Sequence, residues 1–153
     1  MTSRSGSETR HRTAMICVHK DALLVCWFRD PQSGREFYVV PGGKIESQES
    51  ARECAERETW EETGYRVRAR GEAVTTTRYP FEWAGQVYDC VTTWFVGTLT
   101  NPEESPAPVA DADFNLRTAW LALGEIPSAF ACHSHIGEMV TKLVERALKG
   151  DDE

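Results

Sequence analysis

No stretch of this 153-residue chain stays apolar for the roughly 20 residues that a membrane-spanning helix requires. Basic residues are in short supply: 17 Lys and Arg stand against 24 Asp and Glu, for a net charge of −7. A surface of that sign lacks the cationic footprint of a non-specific nucleic-acid binder. It does not exclude a phosphate-bearing small molecule, because a bound cation inverts the local field. The five cysteines (Cys17, Cys26, Cys54, Cys90 and Cys132) are odd in number and form no Cys-x-x-Cys pair. They read as reduced thiols rather than a disulfide frame or a zinc site. Met1–Arg10 is polar and lacks the apolar core of a signal peptide, so the expected location is cytoplasmic. Internal repeats and interdomain linkers are also missing.

Hydrophobic residues at 41% and charged residues at 27% are ordinary for a globular protein of one core. The expected organisation is a disordered tail over 1–11 and a single domain over 12–149. Apolar runs at 13–18 and 22–28, separated by His19-Lys20-Asp21, read as a hairpin. A turn at 30–34 precedes a strand through Phe37–Val40, which Pro41-Gly42-Gly43 breaks. Further strands are expected over 65–77, 86–99 and 114–121, with a proline-bearing acidic loop over 101–113 and a turn over 123–128. The closing helix, 133–148, carries one apolar stripe of Ile136, Met139, Val140, Leu143, Val144, Ala147 and Leu148.

Between Gly43 and Tyr65 the chain turns acidic. Ser50 with Glu53 three residues later predicts a capping box opening a helix over 50–63, and Gly64 suits the position that ends it. On that helix Glu58, Glu61 and Glu62 are neighbours on one face, at i, i+3 and i+4. Carboxylates so close repel one another unless a positive charge sits over them. A hard divalent cation with oxygen ligands answers that need.

Gly43, five residues, Glu49, seven residues, Arg57-Glu58, two residues, Glu61-Glu62, one residue and Gly64 form a spaced pattern. It resembles the signature of the Nudix hydrolases. Tyr65 fits the pattern's final apolar position, and Thr59 departs from it, standing where an aliphatic residue is usual. The resemblance implies an α/β (α+β) fold: a mixed β-sheet sandwiched between helices, with the signature as a loop–helix–loop. It implies hydrolysis of a pyrophosphate linkage in a nucleoside diphosphate joined to another group, X, with Mg²⁺ or Mn²⁺ as cofactor. Metal ligands would be Glu58, Glu61, Glu62 and the carbonyl of Gly42, with Glu58 also the candidate base, directly or through a metal-bound water. Arg57 belongs to the same catalytic set. It projects about 100° from Glu58, and an ion pair to Glu49 is the preferred role over phosphate contact. Gly43, Glu49 and Gly64 would support the loop and helix.

Other residues bear on the substrate. Tyr79 and Phe81, with Trp83 and Tyr88, are candidates for a nucleobase platform. Glu103, Glu104, Asp111 and Asp113 are candidates for a further acid from a later loop. An acid a few positions before Trp120, frequent in the family, is missing; Arg117 and Thr118 stand there. Glu46 and Glu53 read as surface or capping acids, Trp60 as half exposed, and His133 and His135 as helix-start residues. Pro80 lies sixteen residues past Gly64, in a turn-like Arg-Tyr-Pro-Phe-Glu segment; a proline there is similar to the ADP-ribose pyrophosphatases, and Tyr79 beside it to dinucleoside polyphosphate hydrolases. The expected substrate is therefore ADP-ribose or a nucleotide sugar. Nucleoside triphosphates, oxidised ones included, and a non-catalytic nucleotide-binding regulator are the alternatives. A homodimer is compatible with the sequence, and a membrane partner is not expected.

Overall fold

A turn of two residues, Lys20 and Asp21, both with positive φ (53° and 63°), closes the first hairpin of the computed structural model. Such left-handed pairs match the twist of antiparallel strands. The structure describes residues 8–109 and 113–149. In order these form β1 (Glu8–His19), β2 (Ala22–Arg29), β3 (Glu36–Val39), α1 (Ala51–Thr63), β4 (Val67–Ala69) and β5 (Thr75–Trp83). Then follow β6 (Gln86–Leu99), β7 (Asn115–Ala122), the one-turn α2 (Ile126–Ala129) and α3 (Ser134–Lys149).

The sheet is mixed, in the order β3-β2-β1-β6-β4, with β5 also paired to β6 and β7 to β2. β1 is the hub. Its first ten residues pair in parallel with β6, from Glu8 opposite Tyr88 to Cys17 opposite Gly97. Only Val18 and His19 pair with β2, opposite Leu23 and Ala22. The two halves of the sheet therefore diverge toward the start of β1, and the segment after β3 fills the gap. Thr13 N–H donates to the Gly43 carbonyl and Met15 N–H to that of Pro41, each at 2.8 Å.

Strand periodicity divides the core in two. Ala14 and Ile16 face one layer with Leu23, Val25, Trp94 and the α3 residues Val140, Leu143, Val144 and Ala147. Met15 and Cys17 face the other with Leu24, Phe95, Leu99 and Ala55 of α1. Each fully buried Leu or Val on such a face contributes about 1.5–3 kcal/mol. This is the expected α/β/α sandwich. Leu148 leaves the expected stripe: it is 55% exposed where α3 runs past the sheet.

Three expectations need correction. Residues 8–11, placed in a tail, are strand, because β6 pairs with them in parallel along one edge; residues 1–7 lie outside the described set. The segment 65–77 is not one strand but the end of α1's exit, β4 and the start of β5, separated by a bend around Gly71. Arg78–Glu82 is not a turn but the middle of β5, which among the described residues pairs only with β6 and so tolerates Pro80, opposite Asp89.

Candidate active site

The acidic helix starts as its capping residues dictate. Ser50 Oγ accepts the Glu53 N–H, and Glu53 Oε1 accepts the Ser50 N–H, both at 3.0 Å. It stops at Gly64, whose φ of 79° suits glycine and whose N–H returns to the Trp60 carbonyl. Thr59, at the usually aliphatic position, is fully buried and donates its hydroxyl to the Ala55 carbonyl at 2.7 Å. Trp60 is 38% exposed beneath the Arg66 guanidinium.

Close approach explains both glycines that precede the helix. A Cβ on Gly42 would stand 1.9 Å from the Thr13 carbonyl oxygen. One on Gly43 would stand 2.4 Å from the Glu58 carboxyl carbon. Gly42 thus lies against the β1 backbone, and Gly43 leaves the space that Glu58 occupies. Gly42 N–H donates to Glu62 Oε1 at 3.1 Å.

Arg57 grips Glu49 with two arms, Nε to Oε2 at 2.6 Å and Nη2 to Oε1 at 3.0 Å. That hydrogen bonding, against some burial, holds the Glu49 carboxyl down at about 2. Glu49 also accepts the Glu46 N–H, so it pins the loop to the helix. The third arm corrects the expectation that Arg57 points away from Glu58. Nη1 folds back to Glu58 Oε2 at 3.2 Å and Glu61 Oε1 at 3.1 Å. Burial, reinforced by the nearby Glu61 charge, pushes the Glu58 carboxyl above its ordinary range, with Arg57 and Arg12 opposing. Cys54 lies between Thr13 Oγ1, the Gly43 carbonyl and the Lys44 carbonyl, and burial pushes its thiol up. Glu56, a helix acid outside the signature, accepts the Ala69 N–H and so ties β4 to α1.

Among the described residues no three His, Cys, Asp or Glu side chains converge closely enough to hold a metal ion. The Nη1 group of Arg57 stands between Glu58 and Glu61, and Glu62 turns to Gly42. The donor set nonetheless fits a hard cation: three carboxylates and a backbone carbonyl, with no sulfur or imidazole. With Nε and Nη2 on Glu49 the planar guanidinium is fixed, so binding a cation would need the Glu58 and Glu61 side chains to rotate off Nη1.

A cavity of about 350 Å³ opens beside this end of the helix, and Gly42 and Glu62 form part of its wall. Its floor is one face of three strands in register: Arg10, Arg12 and Ala14 of β1, Tyr88, Cys90, Thr92 and Trp94 of β6, and Tyr79, Phe81 and Trp83 of β5. The facing half-sheet adds Phe28, Tyr38 and Phe114. Phe28, Trp83 and Phe114 meet in tilted and edge-to-face contacts, with ring centroids 5.0–6.0 Å apart. Phe81 leans on His133, 5.1 Å away, which in turn meets Phe37. Tyr79 is largely buried, its hydroxyl accepting from Thr92 at 3.4 Å.

The structure thus brings Tyr79, Phe81, Trp83 and Tyr88 to the cavity and sets it against Glu62 and Gly42. Pro80 faces solvent on the opposite side of β5. Glu103, Glu104 and Asp113 are exposed and line no part of the cavity; Asp111 lies outside the described residues. Sequence reasoning missed Phe28, Phe114, Arg10 and Arg12. For the arginines a signal existed, basic residues two apart, but it straddled the boundary between the segment read as tail, which held Arg10, and the domain, which began at Arg12.

A family model described as NUDIX domain matches residues 9–142. No curated protein matches the chain. Among solved structures it is similar to the MutT protein from Methanosarcina mazei Go1, at 18% identity and a TM-score of 0.68, covering 92% of this chain and 96% of that one. A NUDIX hydrolase from Nitrosomonas europaea aligns at 22% identity and a TM-score of 0.68, over 95% and 75% of the two chains. An Ap4A hydrolase from C. elegans aligns at 14% identity and a TM-score of 0.65, over 93% and 98%. At these identities the structural likeness speaks for the fold.

Proposed function

Because this chain belongs to the Nudix family and is a hydrolase of phosphoric anhydrides, we propose that it cleaves the pyrophosphate linkage of a nucleoside diphosphate joined to a group X. The observation that carries this is continuity: an aromatic cavity the size of a nucleoside site runs without a break to Gly42 and Glu62 at the carboxylate helix. The base stacks on the Tyr79, Phe81 and Trp83 face, and the phosphates lie toward Glu62.

Glu58, Glu61, Glu62 and the Gly42 carbonyl would hold Mg²⁺ or Mn²⁺, which would neutralise two adjacent phosphates and lower the pKa of a water. The half-buried Glu58 would accept the proton of the attacking water, directly or through a metal-bound water, as the water oxygen bonds to phosphorus and the anhydride P–O bond breaks. Arg57 keeps Glu58 in place through the helix and Glu49, and the cavity walls exclude bulk water. For X, the resemblance at Pro80 is to ADP-ribose and nucleotide-sugar enzymes, but Pro80 points away from the cavity, so the choice falls to the residues that line it. A second reading, a nucleoside triphosphate, draws support from the arginine pair on the cavity floor.

The test is a nucleotide panel with Mg²⁺ or Mn²⁺, run beside Glu61→Gln. Turnover of at least one nucleotide that falls about 100-fold or more in the variant is the expected result. Equal turnover in both proteins rejects the carboxylate assignment, and no turnover across the panel favours a binding regulator.

A further inference from the structure

Arg10 and Arg12 are an anomaly in an acidic protein: two cations on one face of β1, both lining the cavity. Residues two apart on a strand are separated by about 6.6 Å, so their charges repel. Among the described residues compensation falls to Arg10 alone. Arg12 makes no ion pair and no side-chain hydrogen bond with any described residue. The guanidinium of Arg10 lies over the Tyr88 ring, 4.0 Å from its centroid. Its nearest carboxylate is the exposed Glu8, 3.7 Å from Nε, and that Nε is buried without a hydrogen-bond acceptor. Guanidinium groups are the side chains best matched to phosphate oxygens.

We propose that Arg10 and Arg12 form an anion subsite on the cavity floor that holds a phosphate other than those taken by the carboxylate helix. The substrate class that follows is a nucleotide with a further charged group beyond the scissile pyrophosphate, such as a third phosphate, rather than one with a neutral sugar as X. This rests on the reading of the cavity as the nucleotide site. Tyr88 holds Arg10 flat against the floor, so its charge is placed before the ligand arrives. Arg12 lies one strand pair nearer Gly42, and its field reaches Glu58 as well as Tyr79. A phosphate chain lying from Glu62 toward Tyr88 would meet the two cations in turn.

Matched pairs that share a base test this: ATP with ADP-ribose, GTP with GDP-mannose, UTP with UDP-glucose. The wild type should favour the triphosphate in at least one pair by tenfold or more in kcat/KM. Arg10→Gln and Arg12→Gln should each erode that preference about tenfold, chiefly through KM, and Arg10→Lys should restore part of it. Equal losses for both members of a pair, or a preference for the sugar nucleotide, overturn the subsite. A second measurement is independent of turnover: calorimetric titration with inorganic tripolyphosphate in EDTA. Binding weakened tenfold or more in both glutamine variants supports the subsite, and equal or undetectable binding in all proteins overturns it. If tripolyphosphate binding depends on the arginines while no nucleotide is hydrolysed, the subsite stands and the hydrolase reading falls.

Discussion

Asp30 and Ala84 are 54 residues apart, yet Asp30 Oδ2 accepts the Ala84 N–H at 3.1 Å. The other oxygen, Oδ1, accepts the N–H groups of Gln32 and Ser33. One carboxylate therefore caps the turn after β2 and latches the tip of the β5–β6 hairpin, next to Trp83. Burial works against this charge, but the Ser33, Gln32 and Ala84 N–H groups outweigh it and hold the carboxyl below its usual range. Asp30→Ala should lower Tm by roughly 5 °C or more, since three donors lose their acceptor. It should also raise KM for a nucleotide severalfold while kcat changes little, because Trp83 borders the cavity and not the carboxylates. Steady-state kinetics that show kcat falling with KM unchanged would contradict this role.

Gly42 and Gly43 are adjacent but should fail differently. An added methyl at Gly43 meets the end of the Glu58 side chain, which can swing aside. Gly43→Ala is expected to fold with near-normal stability and to lose about 100-fold in kcat, through displacement of Glu58. At Gly42 the methyl meets the backbone of Thr13, so Gly42→Ala should cost on the order of 2–4 kcal/mol. Urea denaturation beside kinetics separates the two. A destabilised Gly43→Ala with intact kcat would refute the assignment.

Acid should expose the Glu49–Arg57 pair. The Glu49 carboxyl is held at about 2 in the folded protein against an ordinary 4.5. A depressed folded value means that stability is complete above about 4.5 and drains away as pH falls toward 2. The melting temperature of the wild type should therefore drop more steeply between pH 5 and pH 3 than that of Glu49→Gln, which is less stable at neutral pH. Parallel curves would remove Glu49 from the account.

Thr59→Val removes a hydroxyl whose acceptor, the Ala55 carbonyl, already serves the helix. Restoring an aliphatic side chain of the same shape at a fully buried site should leave stability unchanged or raise it by up to about 1 kcal/mol. A midpoint in urea shifted down by more than that amount would show that the hydroxyl is structurally required.

The legible parts of this protein were those whose partners lie close in sequence. Ser50 with Glu53, Glu49 with Arg57, and the face shared by Glu58, Glu61 and Glu62 all follow from helical geometry over a few residues. The third arm of Arg57 was not legible, because a long side chain's direction depends on the charges around it. Arg10, Arg12, Phe28 and Phe114 were hidden for another reason. Their common cavity exists only once β1 pairs with β6 across 80 residues and the two half-sheets part. Pro80 misled because a proline usually marks a turn, and only the edge position of β5 admits it to a strand.

The parallel register of β1 on β6 makes the character of the cavity a matter of parity. Arg10, Arg12 and Ala14 of β1 line it, and Thr9 and His11, at the odd-numbered positions, do not. Loss of a single residue between Glu8 and Arg12, with Thr13 held by Gly43, would swap the two sets upstream in one event. A short deletion in this strand could thus exchange one ligand preference for another more abruptly than any point substitution, and divergence among related enzymes has such a route open to it here.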